Sequence, residues 1–253
     1  MPDPLPAWWR PVVALHVLTR FPYPRDLRPA PVDLGRSMAW FPAVGALLGA
    51  GLAAAHALLA PWLPPLALAP LLLAGLAFAT NAFHLDGVAD AADGLGGGFT
   101  RDDALRIMRD SRIGAFGAIA VALLLLVQAG ALAALPPEHA LGALVAGPTV
   151  GRLAAVGLAH VLPYARDGGG LGSPFAAHAR RRDLVPAAGV GVGTALLAMG
   201  PTRGAAALAA AGLVAVVVGR LARRRLGGVT GDLLGCATEW ATAAVWLVAA
   251  ARG

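Results

Sequence analysis

Long uncharged stretches recur along this chain and restrict its fold more than any other feature. Residues 38–59, 66–83 and 114–135 contain no Asp, Glu, Lys or Arg, and 139–162 contains only Arg152. Each is near the twenty or so residues an α-helix needs to cross a bilayer. Three further runs, 184–199, 205–218 and 236–250, are shorter, so tilt or local thinning bears on how many of them cross. With 58% hydrophobic residues, 13% charged residues and a mean hydropathy of +0.69, the chain holds more apolar side chains than a soluble core of its length encloses. The expected fold is an all-α, polytopic membrane bundle of about seven spans, within a range of six to eight, forming one domain over 1–253.

Ahead of the first span, residues 6–21 carry Trp8, Trp9, Val12, Val13, Leu15 and Leu18 with Arg10 and Arg20, and Pro11 interrupts them. The segment is too short to span and predicts a helix lying in the headgroup region. It lacks the apolar core and small-residue cleavage site of a secretory signal, so it is expected to be retained. A loop rich in Pro and Arg completes 1–36. Small residues such as Gly45, Gly49, Ala53 and Gly142 suit close helix contact within one chain or between copies, which leaves a homo-oligomer open. The single cysteine, Cys236, excludes an intramolecular disulfide and a cysteine-based metal site.

The net charge of +6 rests on arginine alone. The arginines are divided among short loops rather than gathered on one basic face, which argues against nucleic acid as a partner and for membrane orientation. If seven spans alternate, Arg10, Arg20, Arg25, Arg28 and Arg36 lie on one side with Arg101, Arg106, Arg109 and Arg112. Arg166, Arg180, Arg181, Arg182, Arg220, Arg223, Arg224 and Arg225 join them, making seventeen of the twenty. Arg203 and Arg252 fall opposite, and Arg152 lies within a span. By the positive-inside rule the rich face is cytoplasmic. The aspartates share that face, which implies a cytoplasmic, phosphate-bearing substrate.

The densest chemistry lies in 84–113. Asp86, Asp90 and Asp93 stand at i, i+4 and i+7, on one face if the stretch is helical. Like charges so placed repel, and a divalent cation between them relieves the repulsion. Hard oxygen ligands suit Mg²⁺ or Mn²⁺. The competing interpretation is a solvated acidic turn at the end of an apolar helix. Gly94 and the run 96–98, followed by Arg101, Arg106, Arg109 and Arg112, place flexible backbone and cations beside the carboxylates, a combination suited to pyrophosphate.

A second motif occupies 226–239, where Gly228, Thr230, Gly231 and Asp232 are followed by Glu239. The glycines permit close backbone approach to a ligand, and Asp232 and Glu239 share a helical face; a hydrogen-bonded polar residue between helices is the alternative for Glu239. Arg152, inside a span, must snorkel, pair with a carboxylate or line a wet cavity.

Four stretches together carry a family resemblance. His84-Leu85-Asp86-Gly87 with Asp90 and Asp93-Gly94 is the first, and Ile107-Met108-Arg109-Asp110-Ser111-Arg112-Ile113-Gly114 the second. Gly228-Val229-Thr230-Gly231-Asp232 and Thr19-Arg20-Phe21-Pro22 complete the set. In order and separation they resemble the cobalamin 5′-phosphate synthases, or adenosylcobinamide-GDP ribazoletransferases, across the whole chain.

The resemblance implies a Mg²⁺-dependent enzyme of the bacterial cytoplasmic (inner) membrane, with its active-site loops on the cytoplasmic face. Its substrates would be adenosylcobinamide-GDP and α-ribazole or α-ribazole 5′-phosphate, and its products adenosylcobalamin or its 5′-phosphate and GMP. On this reading Asp86, Asp90 and Asp93 bind metal, with Asp110 or Asp232 completing the shell. Arg109, Arg112 and Arg152 hold phosphates, and Ser111, Gly228, Thr230, Gly231 and Glu239 line the substrate site. Asp232, with Asp93 behind it, is the expected general base. His84 binds substrate or caps a helix. Asp90-Ala91-Ala92-Asp93-Gly94 also matches the opening of the CDP-alcohol phosphatidyltransferase motif, but Leu95, Gly96 and Gly97 replace the Ala-Arg that should follow. Lipid head-group transfer is therefore the alternative enzyme, and a membrane transporter the alternative from another class.

Overall fold

The structure is a computed structural model that describes residues 4–21, 28–167, 170, 172–178 and 180–251. Pro22, Arg25 and Arg252, all used above, lie outside them. The described residues are helical, joined by short loops: α1 (Arg10–Leu18), α2 (Pro31–Ser37), α3 (Phe41–Leu59), α4 (Pro65–Ala79), α5 (Phe83–Gly97) and α6 (Arg101–Ile107) come first. They are followed by α7 (Ala115–Ala133), α8 (Pro137–Val161), α9 (Ser173–His178), α10 (Arg181–Met199), α11 (Pro201–Leu226) and α12 (Gly231–Ala250).

Six stretches are long and apolar enough to cross a membrane: Pro31–Leu59, which ends in α3, and α7, α8, α10, α11 and α12. The pair α4 and α5, bent by 93°, makes the seventh. Here the structure departs from the straight second span expected over 66–83. Asn81 and Ala82 take φ of 52° and 53°, and two successive left-handed non-glycine residues cannot continue a right-handed helix. The Thr80 hydroxyl donates to Leu76 O at the end of α4, and α5 sets off across the bundle carrying the aspartates. The break is covered by the N-terminal segment, where Arg20 N–H donates to Ala79 O at 2.9 Å and the Arg20 guanidinium lies 3.8 Å over the Phe78 ring.

Two other boundaries shift. α11 extends from Pro201 to Leu226, beyond the expected 205–218, because Arg220 to Arg225 continue it as its last turns; arginine is a good helix former and complements the C-terminal end of the dipole. Pro11 does not interrupt α1 but sits in its first turn, where no N–H partner is lost. Val13, Ala14 and Leu18 are its buried face.

α8 and α12 form the centre, each two-thirds buried across its apolar window against 22–28% for the other spans. α3 and α10 pack on α8; α5, α7 and α11 pack on α12. Small residues set these distances: a Cβ at Gly45 would collide with the Pro148 and Thr149 backbone, and one at Gly49 with that of Leu144 and Val145. These contacts are within one chain. Polar groups fasten α8 to α12 as well, with Trp246 Nε1 donating to Ala143 O at 3.0 Å and Thr242 Oγ1 to Gly147 O at 3.3 Å.

Candidate active site

α5 brings Asp86 and Asp90 to one face, and the start of α12 meets that face because Gly87 offers no side chain: a Cβ there would stand 2.8 Å from Asp232 O. The approach places Asp90 within electrostatic reach of Asp86, Asp93, Asp232 and Arg166. Thr230 caps α12, its hydroxyl accepting from Leu233 N–H at 3.3 Å, so Asp232 lies in the first turn, where the helix dipole favours a carboxylate.

Two loops distant in sequence are tied beside it. Val229 N–H donates to Pro163 O at 2.8 Å and Ala165 N–H to Val229 O at 2.9 Å, forming a parallel bridge between Tyr164 and Val229. The bridge delivers Arg166, which donates to Asp232 Oδ2 at 2.6 Å; the two side chains are only 11% and 19% exposed. From α6, Arg101 donates to Ala165 O at 2.6 Å and to Leu226 O at 3.1 Å, joining both loops. Next to this junction Arg101, Arg106, Arg109 and Arg166 line a cleft of about 340 Å³ open to solvent together with Asp102 and Asp167, which stand 3.2 Å and 3.5 Å from the Arg101 guanidinium. The arrangement is three carboxylates on one side and a basic cleft on the other, able to hold phosphates and to accept a proton between them.

The other expected residues divide differently. Asp93 is turned to the start of α7: its oxygens accept from Gly114 N–H at 2.7 Å and Gly117 N–H at 2.8 Å, which clamps α5 to that helix end. Asp110 pairs with Arg112 through Nε at 3.0 Å and Nη2 at 2.7 Å and accepts the Arg112 N–H at 3.1 Å. These bonds hold its carboxyl down at about 2. Ser111 is exposed on the same loop.

His84, Arg152 and Glu239 lie inside the bundle, 4%, 2% and 7% exposed. Glu239 accepts from Gln128 Nε2 at 2.9 Å and stands 3.9 Å from His84 Nδ1, while Arg152 donates to Pro148 O at 3.0 Å. His84 and Arg152 border a cavity of about 40 Å³, room for a water and not for a nucleotide. Glu239 thereby joins α12 to Gln128 of α7, whereas the hydrogen bond of Arg152 stays within α8, and Arg152 Nε and His84 Nδ1 are buried without a hydrogen-bond partner.

The sequence comparisons address the whole chain. The family model described as Cobalamin-5-phosphate synthase matches residues 10–250. The chain belongs to the cobalamin-5-phosphate synthase family. It is 42% identical to the adenosylcobinamide-GDP ribazoletransferase of Syntrophobacter fumaroxidans, over 89% of this chain and 92% of that protein. It is 43% identical to the same enzyme of Ralstonia nicotianae, over 90% and 89%, and 38% identical to that of Chlorobaculum tepidum, over 94% of each chain. No solved structure matches. As a cobalamin-5-phosphate synthase family member, the chain is a membrane transferase of cobalamin biosynthesis.

Two residues of this cobalamin-5-phosphate synthase family member escaped the sequence reading: Arg166 beside Asp232 and Gln128 inside the bundle. Arg166 fits the topology count, and only the loop pairing reveals it as the partner of Asp232; Arg101, expected among the phosphate cations, also donates to the backbone of both loops. Gln128 was a detectable signal, being the one amide within 114–135.

Proposed function

We propose that the protein joins adenosylcobinamide-GDP to α-ribazole, or to its 5′-phosphate, and releases GMP. The supporting observation is the gathering of Asp86, Asp90 and Asp232 against Arg166, with the cleft of Arg101, Arg106 and Arg109 alongside. The names of the relatives supply the substrates. The ribose hydroxyl attacks the phosphorus attached to cobinamide, the P–O bond to GMP breaks, and the hydroxyl proton passes to Asp232 Oδ1 while Arg166 holds Oδ2. Asp93 is less suited to that role, both its oxygens being engaged by N–H groups. The departing phosphate gathers charge, which the arginines of the cleft receive.

Mg²⁺ fits the donor set. Among the described residues no group of three His, Cys, Asp or Glu side chains is placed to hold a metal ion by itself, and Mg²⁺ is ordinarily held by one or two carboxylates, several waters and substrate phosphates. Asp86 and Asp90 would hold it, with Asp232 opposite. When bound, it neutralises charge on the phosphate oxygens. The arginine-rich face would be cytoplasmic, in a bacterial inner membrane.

The test is GMP release by purified protein in detergent with adenosylcobinamide-GDP, α-ribazole and Mg²⁺, against CDP-diacylglycerol plus an alcohol. GMP that requires both ribazole and Mg²⁺ is the expected result. CMP from the second pair and no turnover of the first would overturn the proposal in favour of lipid head-group transfer.

A further inference from the structure

Away from the active site, the C-terminal half of α8 and the last turns of α11 enclose a groove of about 340 Å³. Leu158, Val161, Leu162 and Val216 wall it, and Arg220 and Arg223 stand at its mouth. Gly157 leaves open space where a larger side chain would stand, and at Gly219 a Cβ would come within 2.8 Å of Leu158 Cδ2, so glycine lets that leucine form the floor. Val161 is 78% exposed, which places the groove on the outer surface of the bundle rather than between its central helices.

At the mouth the chemistry reverses. Arg220 and Arg223 are three residues apart on α11 and share a face. Both are exposed, and among the described residues neither side chain has an ion pair or hydrogen bond. From Arg223 back to Ala215 the groove follows α11 for about 12 Å, a run suited to the upper part of an acyl chain.

We propose that this groove holds one acyl chain of an anionic phospholipid, with the lipid phosphate clamped between Arg220 and Arg223. Charge complementarity selects that occupant. A second copy of this chain would bury two unpaired guanidinium groups in an apolar seam, which is costly; a lipid phosphate neutralises them through charge-assisted hydrogen bonds. The site is independent of the transferase reading, since none of its residues belongs to the catalytic cluster.

The experiment is native mass spectrometry of the full chain in detergent, offered phosphatidylglycerol and phosphatidylcholine in equal amounts. Selective retention of phosphatidylglycerol is expected. Arg220→Ala and Arg223→Ala should each weaken retention about fivefold, and the pair together roughly 30-fold, at the scale of one basic side chain near an anionic head group. Gly157→Phe, which fills the groove and keeps both arginines, should also abolish selective retention. Arg203→Ala, at the opposite end of α11, should leave it unchanged. Equal retention of both lipids, unaltered retention in the double variant, displacement by millimolar inorganic phosphate alone, or a dimer that excludes lipid would each overturn the proposal.

Discussion

Replacing Arg166 with methionine separates the two consequences of its bond to Asp232. The pair is 2.6 Å apart and largely shielded, so removing the guanidinium leaves a carboxylate beside Asp86 and Asp90 with no counter-charge. Breaking one side of such a pair costs about 3 kcal/mol, and methionine keeps the apolar stem so that packing changes little. If the same interaction positions Asp232 for proton transfer, kcat/KM for GMP formation should fall about 150-fold. The thermal midpoint of the purified protein should fall as well. Adding Asp232→Asn removes the stranded charge, so the double variant should regain stability without regaining turnover. Turnover of Arg166→Met within threefold of the parent, or a double variant no more stable than the single, would refute the reasoning.

Asp93→Ala orphans two backbone N–H groups at the start of α7 and should lower stability by roughly 2–4 kcal/mol in thermal denaturation, whereas Asp86→Asn, which relieves repulsion, should abolish GMP release with no loss of stability. Gly45→Leu should prevent accumulation of folded protein in membranes, because the new side chain meets the Pro148 backbone, while Gly51→Leu, which has open space, should accumulate normally. Asp110 is held at about 2 by Arg112, below the ordinary carboxylate value, so its contribution is present above roughly pH 4 and is lost only as pH falls through about 2. Asp110→Asn should therefore leave the shape of the pH–rate profile between about pH 5 and pH 9 unchanged; a displaced acid limb would contradict this.

The apolar runs foretold the bundle because lipid demands uninterrupted helices, and the i, i+4 spacing foretold that Asp86 and Asp90 would share a face. The break at Asn81 and Ala82 was not legible: neither is Gly or Pro, and the left-handed turn depends on what packs against it, Arg20 on Ala79 and Phe78. Asp93 looked equivalent to its neighbours, yet one further turn of helix carries it past the cluster to the N–H groups of Gly114 and Gly117. Arg152 and Glu239 were singled out correctly as polar residues within spans. Glu239 fastens α12 to α7 through Gln128, a partner on another helix that local spacing does not reveal, while Arg152 bonds within its own helix.

The bridge between Tyr164 and Val229, with Arg101 bonded to both of its loops, has a mechanical consequence. Three connections that leave the bundle between different helices are stitched into one rim, and Arg166 and Asp232 ride on it together. The rim fixes Arg166 and Asp232 to each other, so displacement of the helices below would move that pair as a unit relative to Asp86 and Asp90 on α5.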